Sequence, residues 1–139
     1  MDQKSLEYFE IWTQVMGMCC KIERVLKSFP EEIEPDLLTR LKQDVVALPE
    51  AVERGLEERS FRSELVQFNL AQLKLKRLQQ NLLTSKYLEY LEEDTFDQLI
   101  YEITLLIRKI HKRRLMSDFL FHSVNPEYVY SYLNCPSLN

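Results

Sequence analysis

Apolar residues recur along this chain at the three- and four-residue steps of α-helices, in four blocks divided by short polar breaks. The first block, residues 4–28, carries Leu6, Phe9, Trp12, Met16, Cys19 and Leu26, with Ile11, Val15, Met18, Ile22 and Val25 one step round. This wide stripe predicts one helix. Phe29-Pro30 stops it, because proline disfavours the helical conformation in the residue before it. Gly17 sits inside the stripe, where it costs ~1 kcal/mol relative to alanine. A close helix–helix approach would explain it, and so would drift.

The loop EEIEPD leads into a second helix. Pro35 suits its first turn, and acids crowd the positive end of its dipole. Leu38, Leu41, Val45, Val46, Leu48 and Val52 form the apolar face. The stretch LPEAVERG, residues 48–55, then places two helix breakers close together. Pro49 removes one backbone hydrogen bond and is expected to bend the helix near Val45. Gly55 suits a left-handed cap at its end.

A third helix, from about Ser60 to Lys86 or beyond, carries Leu65, Phe68, Ala71, Leu75, Leu78 and Leu82 at heptad-like spacing. Val66, Leu70 and Leu73 form a second row, and Leu73 lies roughly 160° round the helix from Leu75. A helix in a monomeric bundle needs one apolar face. Two faces predict contact with something beyond its own subunit, with Val66, Leu70 and Leu73 as an oligomer interface.

After LEYLEED, Asp94 or Thr95 is expected to cap a fourth helix bearing Phe96, Ile100, Ile103, Ile107 and Ile110. That helix turns basic in IRKIHKRR, and past Met116 the periodicity loosens. The tail is aromatic and weakly charged, too apolar for a disordered segment, and is expected to dock on its own subunit or on a neighbour. The pattern therefore predicts an all-α, antiparallel up-down four-helix bundle over residues 1–116, with an aromatic C-terminal tail over 117–139.

Composition agrees with this architecture. Two glycines and five prolines among 139 residues leave little material for the tight turns of a β fold. No apolar run reaches the roughly 18 residues of a membrane span, and MDQKSLEYFE is no signal peptide, so the expected setting is cytoplasmic without membrane contact. Three cysteines fit reduced thiols there. Cys19 and Cys20 are helical neighbours about 100° apart and unsuited to a mutual disulfide, and Cys135 stands alone in the tail.

Groups that could converge into a catalytic site are scarce. His111 lies in a basic run and His122 in the tail, neither with a partner at metal-ligand spacing. There is no CxxC, no Glu-x-x-His and no glycine-rich phosphate loop. The expectation is a non-enzymatic protein with no cofactor and no metal.

The marked polar feature is basic. Arg108, Lys109, Lys112, Arg113 and Arg114 cluster late in the fourth helix, and Lys74, Lys76 and Arg77 form a shorter cluster with no acid between Val66 and Ser85. Such residues can simply solvate a helix end and complement its dipole. Alternatively they form a strip for the phosphates of nucleic acid, although the net charge of −4 argues against a uniformly basic binder. Phe119, Phe121, Tyr128, Tyr130 and Tyr132 could stack on bases, but such residues more often cover an apolar groove. Tyr8, Phe9 and Trp12 read as core.

With these residues in view, the chain resembles the four-helix-bundle family of ribosomal-RNA intervening-sequence proteins. That family includes the accessory variability determinants (Avd) of diversity-generating retroelements. YFEIW is close to the family's aromatic opening phrase, and Phe29-Pro30 matches its end of helix one. Leu48, Pro49, Val52 and Gly55 match its best-marked segment, and Tyr90-Leu91-Glu92-Glu93 its Tyr-Leu followed by acids. The match covers roughly residues 6–115. Ala51 and Arg54 replace the family's Asn and Glu, Glu89 stands where glycine is common, and Lys74 and Leu75 replace small residues.

The resemblance implies a homopentameric ring, in which a modest basic patch recurs on every subunit. It also implies a non-catalytic accessory role, binding RNA or DNA, a reverse transcriptase, or both. The alternative is an assembly or adaptor scaffold for a protein partner, with no nucleic-acid role.

Overall fold

The computed structural model describes residues 3–57 and 61–124, and all of their regular structure is helical. Four helices follow in order: α1 (Gln3–Lys27), α2 (Pro35–Glu57), α3 (Phe61–Tyr87) and α4 (Glu93–Val124). Each packs on its neighbour in sequence, and α1 closes the ring against α4, the most thinly packed seam. Cross-helix pairs fix the directions. Asp44 of α2 faces Lys74 of α3, and Asn69 and Gln79 of α3 face Arg114 and Thr104 of α4. On the fourth seam Lys21 of α1 bridges to Glu102 of α4. The bundle is antiparallel throughout.

Its core is a continuous apolar column. Ile11, Val15 and Ile22 of α1 meet Leu37, Leu41 and Leu48 of α2, with Phe68, Leu75, Leu78 and Leu82 of α3 and Ile103 and Ile110 of α4. Most of the expected faces are these. The edges of the stripes differ because a helix in a bundle buries only the arc between its two neighbours. Leu6, Phe9 and Val46 are therefore exposed, while Tyr8, Leu37, Leu99 and Leu106 are buried.

Helix ends also differ from expectation. Glu34 opens α2 through its side chain, which accepts the Leu37 N–H at 3.1 Å. α2 runs through Pro49 to Glu57, and Gly55 lies inside it with no positive φ. Gly55 is therefore no left-handed cap. A Cβ there would stand 3.4 Å from the Phe68 ring of α3, in ordinary van der Waals contact. Gly17 shows the reverse: a Cβ would meet nothing within 4 Å, so no close helix approach accounts for it. α4 begins at Glu93, ahead of the expected Asp94 or Thr95 cap, with Phe96 N–H bonded to the Glu92 carbonyl.

α3 ends in a Schellman turn. Tyr90 N–H reaches the Ser85 carbonyl and Glu89 N–H the Lys86 carbonyl, with Glu89 left-handed at φ 64°. Tyr90 then packs its ring 5.8 Å from Phe29. Glycine would fill position 89 without strain.

The expected boundary at Met116 falls inside a helix, since α4 continues to Val124. The rest of the tail, with Tyr128, Tyr130, Tyr132 and Cys135, lies outside the described residues.

Candidate functional site

Seven of the eight basic residues singled out in the sequence divide into three groups by what surrounds them, and Arg114 stands at the edge of the third. Arg113 is inside the bundle. Its guanidinium Nε donates to Glu64 at 3.0 Å and to the Tyr8 hydroxyl at 2.9 Å, and it stacks 4.7 Å from the centre of the Tyr8 ring. Tyr8 in turn donates to Glu64. Arg113 thus departs from the expected phosphate strip, because position 113 continues the core-facing row Ile103, Leu106 and Ile110. Burial pulls its proton affinity down, but Tyr8 and Glu64 more than offset that and raise it. Burial above all, and then the bond to Glu64, pushes the Tyr8 hydroxyl far above its ordinary range.

Lys74 and Arg77 form the second group. Both reach Asp44, a fully buried carboxylate on α2, at 3.5 Å and 3.6 Å. No acid lies between Val66 and Ser85, so sequence distance concealed this neutralisation.

Lys76, Arg108, Lys109 and Lys112 make the third group. All four are exposed, and none has a carboxylate at ion-pair distance among the described residues. The register set by Asn69–Arg114 and Gln79–Thr104 brings Lys76 level with Ile107, at the height of the exposed basic surface of α4. Arg114 borders this surface, half-buried, donating to Asn69 at 3.0 Å and contacting His111 Nδ1 at 3.1 Å.

Val66, Leu70 and Leu73 stand on the solvent side of α3, opposite its core row, and are 56%, 39% and 54% exposed. α4 has an outward apolar row that the sequence reading did not single out: Tyr101, Leu105, Leu115, Met116 and Phe119. Its signal was available as a second row opposite Ile103 and Ile110, but the basic run in its middle obscured it.

A half-open groove of about 600 Å³ lies on the α1–α4 seam, lined by Gln14, Gly17, Met18, Tyr101 and Leu105 and bordered by the Lys21–Glu102 bridge. Among the described residues, no three His, Cys, Asp or Glu side chains are grouped to hold a metal ion. Cys19 is buried and its thiol is pushed up to about 12 by burial first and by Cys20 next, while Cys20 is exposed. No described helix is long and apolar enough to cross a membrane.

Comparison with protein-family models, with curated proteins and with solved structures returns no match.

Proposed function

We propose that this chain is a non-catalytic subunit of a homo-oligomeric helical scaffold, with a basic surface that binds nucleic acid as an accessory. The observation that carries the reading is the set of exposed cations Lys76, Arg108, Lys109 and Lys112 on the adjacent helices α3 and α4, none with a carboxylate at ion-pair distance among the described residues. Exposed cations gathered at one level of two neighbouring helices favour a polyanion, because each phosphate they contact releases condensed counterions. The exposed Val66, Leu70 and Leu73 supply an apolar face for subunit contact. The resemblance to the intervening-sequence and Avd proteins supports the same reading, and adds a pentameric ring and a reverse transcriptase as partner.

A protein-binding scaffold is the second reading. The row Tyr101, Leu105, Leu115, Met116 and Phe119 favours it, since apolar residues share the face with the cations.

Fluorescence anisotropy with labelled RNA and DNA over a salt series separates the two. Four phosphate contacts give a log–log salt slope of roughly −3 to −4. The double charge reversal Arg108→Glu/Lys112→Glu should abolish binding. Absence of nucleic-acid binding at about 50 mM salt, where such contacts are strongest, would sink the first reading and leave the second. Light scattering on the same protein tests the ring, and a monomer would remove it.

A further inference from the structure

α4 carries two heptad seams on opposite sides. The inner one, Phe96, Leu99, Ile103, Leu106 and Ile110, is buried in the bundle. The outer one steps by alternating fours and threes through Asp94, Gln98, Tyr101, Leu105, Arg108 and Lys112, then on to Leu115 and Phe119. All eight are exposed. Alternation of this kind, held over three heptads, is the spacing by which one helix seats against another. The bundle itself leaves this seam without a helix.

The charges along the seam are segregated. Asp94 and flanking Asp97 mark its N-terminal part, Tyr101 and Leu105 its apolar centre, and Arg108 and Lys112 the part beyond. Helix-dipole preference explains the acids in the first turn, and the cations lie several turns short of the end of α4 at Val124. A parallel neighbour of the same sequence would set like charges against like. An antiparallel copy does the opposite.

We propose that the outer face of α4 is a self-complementary docking surface for a second copy of this chain, paired antiparallel about a two-fold axis level with Ile103. In that register Tyr101 packs on the partner's Leu105, and Leu105 on the partner's Tyr101. Asp94 meets the partner's Lys112, and Asp97 lies on the same flank as the partner's Arg108. The two-fold repeats each pair, so four ion pairs bracket a four-residue apolar centre. Leu115 comes level with the turn before α4 on the partner, where Leu88 is exposed.

Two facts fix the strength expected. The centre is small, Tyr101 and Leu105 being 66% and 38% exposed before pairing, so the apolar contribution is modest. The ion pairs are at the rim, where salt screens them. The pairing should therefore be of micromolar strength and should weaken as salt rises. It is a different contact from the α3 face. It also claims Arg108 and Lys112, the cations assigned above to nucleic acid, so a polyanion and the second copy compete for one face.

The test uses two charge-reversed full-length proteins, one Asp94→Lys/Asp97→Lys and the other Arg108→Glu/Lys112→Glu, in sedimentation velocity at about 50 mM salt, where screening is weak. All four positions are exposed, and circular dichroism checks that both variants stay helical. Each alone now faces its own copy with like charges and should lose at least tenfold in self-association against wild type. An equimolar mixture restores every pair in a one-to-one complex, seen by native mass spectrometry. Leu70→Glu on α3 should leave this pairing unchanged, which separates it from the subunit contact proposed above. The proposal is overturned if the reversed variants associate as wild type does, or if mixing them yields no mixed pair.

Discussion

Glu64 and Asp44 are both carboxylates fully buried in the bundle, both face α-helical cations, and their surroundings differ in kind. Glu64 accepts hydrogen bonds from Arg113 and Tyr8, and Arg113 is itself buried. The cluster ties α1, α3 and α4 together at one end of the bundle. Asp44 has Lys74 and Arg77 nearby, yet neither of its oxygens receives a hydrogen bond, and Arg77 reaches solvent. Hydrogen bonds at Glu64 Oε1 offset part of that group's lost hydration, whereas at Asp44 only Coulomb attraction does so. Glu64 is thus built into the fold. Asp44 acts chiefly to neutralise two surface cations.

The largest effect should come from breaking the first cluster. Arg113→Met leaves Glu64 buried without its cation and should cost about 3–5 kcal/mol in a urea titration. A loss under about 1 kcal/mol would mean that Glu64 is hydrated when Arg113 is gone, and the contrast with Asp44 would fail.

Alkaline pH probes Tyr8 of this cluster together with the buried Cys19 thiol. Tyr8 and Cys19 keep their protons in the folded state beyond their ordinary values of 10.0 and 9.0. Above about pH 9 the unfolded chain binds fewer protons than the folded one, so stability should fall as pH rises. The slope is at most about 1.4 kcal/mol per pH unit for each group. The Cys19 contribution ends near its folded value of about 12. Thermal melts between pH 8 and 11 should show the decline, and Tyr8→Phe should reduce its slope above about pH 10, leaving the part due to Cys19. An unchanged slope in that variant would show that Tyr8 is not the group responsible.

Asp44→Leu should change stability by no more than about 1 kcal/mol, because the cations it leaves can turn to water. A cost near that of Arg113→Met would erase the distinction. The isosteric Asp44→Asn sharpens it from the functional side. Releasing Lys74 and Arg77 should strengthen nucleic-acid binding and steepen its log–log salt slope by roughly one to two.

The smallest effect is expected away from both carboxylates. Glu89→Gly relieves a left-handed side chain and should stabilise by about 0.5–1 kcal/mol. It serves as a reference for what a purely local change does, and a loss of stability there would mean that Glu89 makes contacts worth more than its backbone strain.

Local pattern was enough for the helices, because an apolar stripe with a 3.6-residue period has few other ways to bury itself. The stops at Phe29-Pro30 and Pro35 are equally local, set by proline sterics. The second row on α3 was legible for the same reason: Val66, Leu70 and Leu73 lie opposite Phe68 and Leu75 on any α-helix. Gly55 was not legible. Its position near a helix end fits a cap, and only the tertiary structure shows it inside α2, at contact distance from Phe68 of another helix.

The basic clusters mark the limit most clearly. The sequence by itself determined that cations at 74–77 and 108–114 share two helices, since composition and spacing are one-dimensional facts. Only the tertiary structure decided which of them face solvent uncompensated. Asp44 lies thirty residues before Lys74, and Glu64 forty-nine before Arg113, yet packing places each within 4 Å of its cation. Electrostatic energy depends on distance and burial in space, and neither is written in the order of residues along the chain.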